Sequence, residues 1–286
     1  MASLKEIKTR IQSVKSTQKI TSAMKMVSSA KLRKAERAVS GFLPYKNAIN
    51  NVLQNFLMNA SDAKSPLTQI RDVRRVGILV FGSNSSLCGS YNANIIKRLH
   101  QSIKTHRDVR KEDILIFPVG KKMAQACKKE GLNIFAEYEH IANHPSFEEV
   151  SQLADTIVDM FLKGEIDRVK MIYFHYESKG RQTMQADTFL PVCFEYPAKG
   201  AFVPDYVAEP GEEEIIMELI PKVLRVKAYS AALEASASEH AARTMAMQLA
   251  TDNANDLLQE LSLQYNKLRQ QSITNELLDI IGGSFK

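Results

Sequence analysis

The sequence predicts an α+β chain in which N- and C-terminal helices form a long antiparallel coiled coil, with an α/β domain of about five strands set between them. Three observations carry this. From Glu212 to about Ile281 there is no glycine and a single proline, Pro221. From Ser3 to about Met58 the pattern is again helical, and between the two stretches short apolar runs alternate with helical ones. The expected division is 1–60 for the first shaft helix, 61–211 for the globular base and 212–286 for the second shaft helix.

The C-terminal stretch opens on Glu212, Glu213 and Glu214, which favour the positive end of a helix dipole, and Gly282-Gly283 is its expected stop. At 1.5 Å per residue it would be roughly 100 Å long, too long to bury itself in its own domain. Its partner is the first stretch, where Leu4, Ile7, Ile11 and Val14 form a coiled-coil seam. That stripe is expected to drift through Ile20, Met24 and Val27, so a strict heptad is not predicted. The facing stripe runs through Leu219, Val223 and Val226, then Ala250, Ala254, Leu257, Leu261, Tyr265 and Leu268. If both helices leave the base at one level, residue 24 lies beside about residue 247 and residue 2 beside about residue 269. The last dozen helical residues, with the apolar Leu277-Leu278-Asp279-Ile280-Ile281, would then lack an internal partner and need an external one. A kink or pause is expected near Gly41-Phe42-Leu43-Pro44, and Pro221 implies a kink or a late helix start.

The shaft is lean. Ten alanines lie between Ala228 and Ala254, and the facing helix offers Ser13, Ser16, Thr17, Thr21, Ser22, Ala23, Ser28, Ser29 and Ala30. Larger side chains would bury more apolar area. Small ones let the backbones approach, and such thinness suits passage through something narrow, although alanine also simply favours helix.

In the base, Val76–Phe81, Ile114–Val119, Ile134–Tyr138, Val169–Tyr176 and Gln185–Phe194 read as strands. Helices are expected from about Tyr91 to Thr105, from Lys121 to Glu130, and to Leu162 from a Ser146 N-cap. This alternation predicts a mainly parallel, Rossmann-like sheet. The turn Gly82–Gly89 follows a strand and opens a helix, where a phosphate could sit, but it lacks both the P-loop ending and the G-x-G-x-x-G spacing. No nucleotide is therefore expected there. Cys88 has no assignable general base, and His140 and His144, on an expected loop, lack metal-ligand context. No catalytic, cofactor or metal residue is predicted.

The three cysteines, Cys88, Cys127 and Cys193, suit a reducing compartment, and no apolar run is long enough to span a membrane. No signal peptide is visible, so a soluble chain is expected. The net charge of +6 is uneven: residues 1–40 hold ten Lys or Arg against Glu6 and Glu36. Such a face attracts nucleic acid, an anionic membrane or an acidic protein, unless it is only the solvated face of a coiled coil. Two rivals follow: a basic coiled-coil module binding nucleic acid, and a small α/β enzyme with helical arms. The absence of Phe and Tyr before Phe42 counts against the first.

Several stretches resemble the gamma subunits of F-type ATP synthases. They are Ser3-Leu4-Lys5-Glu6-Ile7-Lys8, Thr17 to Val27, Leu87-Cys88-Gly89-Ser90-Tyr91-Asn92, Ala241 to Met247 and Ala250-Thr251-Asp252-Asn253-Ala254. The strongest are Tyr265-Asn266-Lys267-Leu268-Arg269-Gln270 and Ile273-Thr274-Asn275-Glu276. The resemblance implies a non-catalytic central rotor that couples ion flow through a membrane c-ring to cycling of catalytic beta subunits. Implied partners are a hexamer of alpha and beta subunits around the shaft, and epsilon and the c-ring at the base. Membrane association would come only through the complex, at the cytoplasmic face of a bacterial plasma membrane. By family position Arg269, Gln270, Thr274 and Glu276 face the beta catch loops, Met24 and Arg243 lie in the coupling region, and Tyr206 and Glu209 belong to the foot. Basic residues of the first helix would meet acidic beta segments. The family's Asp-x-Gly before Leu-Cys-Gly is here Asn84-Ser85-Ser86, and Ala208 stands where an aromatic is common. The cysteine-bearing insertion of redox-regulated chloroplast relatives is absent.

Overall fold

The computed structural model describes residues 3–59, 65–106, 109–193, 209 and 211–284. The chain divides into two compact units, Met1–Ser29 with Arg243–Lys286, and Ala30–Ala242. Helix α1, Leu4–Asn59, begins with a reciprocal cap: Ser3 N–H donates to Glu6 Oε2 at 2.8 Å, and Glu6 N–H to Ser3 Oγ at 3.2 Å. The helix runs through Pro44 without the expected pause. Proline inside a helix costs about 3 kcal/mol. Against this, Phe42 meets the Tyr229 ring edge-on at 4.8 Å before the proline, and Leu53, Phe56 and Leu57 are buried after it. Each such side chain contributes about 1.5–3 kcal/mol, so packing on both sides outweighs the lost bond.

Five strands follow. They are β1 (Val76–Phe81), β2 (Ile114–Val119), β3 (Asn133–Ile134), β4 (Arg168–Ser178) and β5 (Arg181–Leu190). The intervening helices are α2 (Tyr91–Thr105), α3 (Lys121–Lys129), α4 (Glu139–Asn143) and α5 (Phe147–Leu162). The sheet order is β3-β2-β1-β4-β5, parallel except for β5, which returns antiparallel along β4. The fifth strand therefore lies N-terminal to its expected position at Gln185–Phe194. The connection is the short turn Lys179-Gly180, and the polar Arg181-Gln182-Thr183 pairs with β4 through Tyr176↔Gln182 and His175↔Thr183. The third strand shrinks to two residues plus an isolated Val119↔Tyr138 bridge, and α4 occupies part of the expected His140–His144 loop. Ser146 caps α5 as expected, its hydroxyl accepting from Glu149 N–H.

The sheet has a core on each face. On one, Leu153, Ile157 and Phe161 of α5 lie with Leu79, Phe117 and Met171. On the other, Ile95 and Leu99 of α2 lie with Ile78, Ile116 and Ile172. The last helix, α6, spans Glu212–Ser284 and contains Pro221, so it neither starts late nor stops at Gly282-Gly283. Ile216, Ile220, Val223 and Leu224 are buried around that proline and hold its turn in the core.

Candidate functional site

The Met1–Ser29 and Arg243–Lys286 unit is an antiparallel helix pair. Its register is set by Thr251 Oγ1 donating to Thr21 Oγ1 at 2.9 Å, Gln18 Nε2 to Asn255 Oδ1 at 3.1 Å, and Lys25 Nζ to Gln248 Oε1 at 2.9 Å. These pairs lie within two residues of the expected register. Continued, they bring Ser3 beside Gln270, so the α6 residues beyond have no α1 residue alongside. Ile273, Leu277, Leu278, Ile280 and Ile281 are all exposed.

The seam corrects one expectation. Ile20 and Val27 are 59% and 58% exposed, whereas Thr21 and Ser28 are 9% and 3% exposed. The heptad begun by Leu4, Ile7, Ile11 and Val14 therefore continues without drift through Gln18, Thr21, Lys25 and Ser28. Hydrophobicity misleads here because the inward positions are small or polar while large apolar side chains face out. A buried hydroxyl pair keeps its hydrogen bonds at short backbone separation, which Ile or Leu could not fit without strain. The signal available in the sequence was the three-four spacing itself, held regardless of residue type. On α6 the seam runs Met247, Thr251, Ala254, Leu258, Leu261, Tyr265 and Leu268, of which Ala254, Leu261, Tyr265 and Leu268 are as expected, while the expected Ala250 and Leu257 are half-buried beside it.

Among the sequence-predicted site residues, Arg269, Gln270, Thr274 and Glu276 are exposed within two turns of α6, near the start of α1. Thr274 Oγ1 donates to the Gln270 carbonyl at 2.9 Å, and Glu276 Oε1 accepts from Ser272 Oγ at 3.4 Å. Met24 is half-buried, and the register places it near α6 residues 248–249; Arg243 is buried. At 1.5 Å per residue Arg243 and Arg269 are about 39 Å apart along α6, so the predicted residues form two separate groups. Glu209 is exposed, and Tyr206 and Ala208 lie outside the described residues. Of the ten basic side chains in residues 1–40, all but Lys25 are exposed.

Within the Ala30–Ala242 unit, the buried Glu234 of α6 is a hub that sequence reasoning missed. Its Oε1 accepts from Lys46 Nζ of α1 at 3.2 Å and Ser230 Oγ at 3.0 Å, and its Oε2 lies 2.5 Å from His175 Nδ1 of β4. Beside it, Tyr176 Oη donates to Glu36, and burial together with that carboxylate raises the phenol's pKa. No local pattern marks such residues, since each partner comes from a different element.

In the Gly82–Gly89 turn, Ser83 and Asn84 bond to groups within the turn and on the neighbouring helices. Ser83 is buried, its Oγ donating to the Ser85 carbonyl at 2.8 Å, while Asn92 Oδ1 accepts from Ser83 N–H at 3.3 Å. Asn84 Oδ1 accepts from Lys121 N–H at 2.8 Å, and its Nδ2 donates to the Glu139 carbonyl at 2.8 Å. Leu87 adopts φ +67°. Among the described residues no helix is long and apolar enough to cross a membrane.

The chain thus combines an antiparallel, polar-seamed helix pair with a mixed five-stranded α/β unit, a combination found in solved structures. The rotor of Euglena gracilis mitochondrial ATP synthase matches with a TM-score of 0.66 at 19% identity, covering 94% of this chain and 98% of that one. A second Euglena gracilis structure, of the OSCP, F1 and c-ring, contains a chain matching with a TM-score of 0.68 at 21% identity, over 99% and 93%. The family model described as ATP synthase matches residues 3–285. The ATP synthase gamma chain of Bacteroides fragilis is 51% identical over 99% of both chains, and that of Flavobacterium johnsoniae 40% identical over 99% of this chain and 98% of its own. The chain belongs to the ATP synthase gamma chain family. That membership displaces the nucleic-acid reading of the basic first helix.

Proposed function

We propose that the chain is the central-stalk rotor of an F-type ATP synthase, coupling ion flow through a c-ring to conformational cycling of catalytic beta subunits. The observation that carries this is the helix pair: a thin shaft with an apolar, exposed end, in a chain of the gamma family along its whole matched length. Two packed helices resist twisting better than one, and a surface with few deep contacts turns without large angular barriers. The shaft is assigned to residues 1–60 and 212–286 and the base to 61–211. Arg269, Gln270, Thr274 and Glu276 contact the beta catch loops, and Met24 and Arg243 contact the coupling region. Tyr206 and Glu209 belong to the foot on epsilon and the c-ring. The exposed Lys and Arg of α1 meet acidic beta segments. The chain performs no catalysis itself, nucleotide chemistry lying in the hexamer of alpha and beta subunits, and it sits at the cytoplasmic face of the membrane only through the complex.

Co-expression with alpha and beta subunits tests this. The expected product is an assembly of three alpha, three beta and one copy of this chain with ATPase activity. Deleting α6 from Gln270 onward should leave the assembly but sharply reduce turnover and coupling. A complex that forms and turns over equally well without this chain would refute the proposal.

A further inference from the structure

Where β1 and β4 begin, on the α2 face of the sheet, basic groups gather with no carboxylate in ion-pair contact among the described residues; Asp167, next to Arg168, accepts through Oδ2 from Arg74 and Arg75 N–H at 2.9 and 2.8 Å. Val169 and Met171 of β4 belong to the opposite core, so Arg168 and Lys170 alternate onto this face. The C-terminal half of α2 lies against them: Lys170 Nζ donates to Thr105 Oγ1 at 3.2 Å, and Arg98 Nη1 to Gln101 Oε1 at 3.4 Å. His106 follows at the C-cap of α2. His100 Nε2 lies 3.2 Å from Glu130 and Arg110 Nε 2.9 Å from Asp113, whereas Arg98, Arg168 and Lys170, like the exposed Lys97, have no carboxylate in ion-pair contact among the described residues.

The charges act on one another. Burial, then Lys170, then Arg168 hold the His106 imidazole below its ordinary pKa, and burial, then Arg168, then Arg98 lower that of Lys170. Arg98 Nε, His106 Nε2 and Arg168 Nε are moreover buried with no hydrogen-bond partner among the described residues. Unpaired polar nitrogens gathered in one place call for an explanation. The C-terminal end of α2 contributes roughly half a negative charge, well short of two guanidiniums and an ammonium. A groove between α2 and the β4–β5 hairpin leads to Arg98, and Asn94, Lys97, Gln101, Gln182 and Met184 line it, again without a carboxylate.

We propose that this cluster binds a phosphate group, with Arg98, Arg168 and Lys170 as the cations that hold it and His106 as a further donor. The group can arrive as inorganic phosphate, on a nucleotide or on a phospholipid headgroup. A tetrahedral oxyanion accepts from several N–H groups pointing in different directions. A carboxylate from a protein partner offers two coplanar oxygens and meets fewer of them. None of these four residues is among those assigned above to partner contacts.

The test titrates the full chain with inorganic phosphate, ADP, and phosphatidylglycerol vesicles against phosphatidylcholine vesicles, each matched to chloride at equal ionic strength. Thermal midpoint and the NMR titration of His106 are followed together. At least one phosphate probe should raise both the midpoint and the His106 pKa. Inorganic phosphate sufficing identifies a free-anion site, tighter ADP binding a nucleotide site, and binding to the anionic vesicles alone a headgroup site. Lys170→Gln and Arg168→Gln should each weaken the effective probe about tenfold, and Lys170→Arg should retain it. Removing one of several like charges relieves repulsion, so the variants should fold, with a probe-free midpoint at least that of the wild type. The proposal is overturned if no phosphate probe exceeds chloride, if both glutamine variants bind normally, or if polyglutamate occupies the cluster in preference to every phosphate probe.

Discussion

Glu234→Ala removes a carboxylate that ties α6 to α1 and β4 at once, and its cost follows from the geometry. At 3.2 Å and an effective dielectric of about 20, the gross attraction to Lys46 is about 5 kcal/mol, most of it offset by desolvation. Lys46 and His175 keep 27% and 43% of their side-chain surface in water, so each pairing is discounted to about 1 kcal/mol. The Ser230 hydroxyl, donating to the same carboxylate, adds about 1 kcal/mol. The sum is roughly 3 kcal/mol, a fall in Tm of about 6–12 °C at 2–4 °C per kcal/mol. Glu234→Gln keeps an acceptor for Ser230 and should cost about half as much. The chain has no tryptophan, so urea melts of the full chain are followed by far-UV circular dichroism. A double-mutant cycle with Lys46→Ala should return a coupling of about 1 kcal/mol. Stability within about 0.5 kcal/mol of wild type for both Glu234 variants, or zero coupling to Lys46, would show that the hub contributes nothing beyond packing.

Three further outcomes are expected. In Gly82→Ala the new Cβ would lie 2.1 Å from Cγ of the fully buried Met123, so the variant should lose about 1–3 kcal/mol in the same melts, and Met123→Ala should partly rescue it. Cys193 is exposed whereas Cys127 is buried with its pKa pushed up to about 11, mainly by burial and secondarily by Glu130; alkylation followed by mass spectrometry should modify Cys193 alone under native conditions. His106 is held below its ordinary 6.5, so the unfolded chain takes up its proton first. Stability is then full above about pH 6.5 and falls as the pH drops through that value toward the lowered one, a slope that His106→Gln should remove.

The architecture was legible because it is written in long, strongly periodic stretches. Two glycine-poor helices and the apolar runs Val76–Phe81 and Ile114–Val119 need no tertiary information to be recognised. What escaped was decided by tertiary contacts. Pro44 reads as a breaker, yet Phe42 against Tyr229 and the buried Leu53 and Phe56 carry the helix across it. The polar Arg181-Gln182-Thr183 reads as loop, yet pairing with a long β4 makes it strand. The two-residue β3 is too short for any periodicity to show.

At the site, legibility ran the other way: the ends of the shaft were recognisable by motif, while its seam was misjudged by hydrophobicity. Apolar Ile20, Met26 and Val27 on α1, and Met245 and Leu249 on α6, face out, while Thr21, Ser28 and Thr251 face in. A coiled coil built only for its own stability would reverse that arrangement, since each exposed Ile or Val forgoes burial it could have had. The reversal is coherent if the outward face is also an interface. Small hydrogen-bonding residues inside keep the pair thin and fix its register through Thr21–Thr251 and Gln18–Asn255, because a slip of one residue would break both bonds. In the rotor role proposed above, the apolar residues outside remain available to surrounding subunits, and the same helices would serve as a stiff axle and as the surface against which those subunits move.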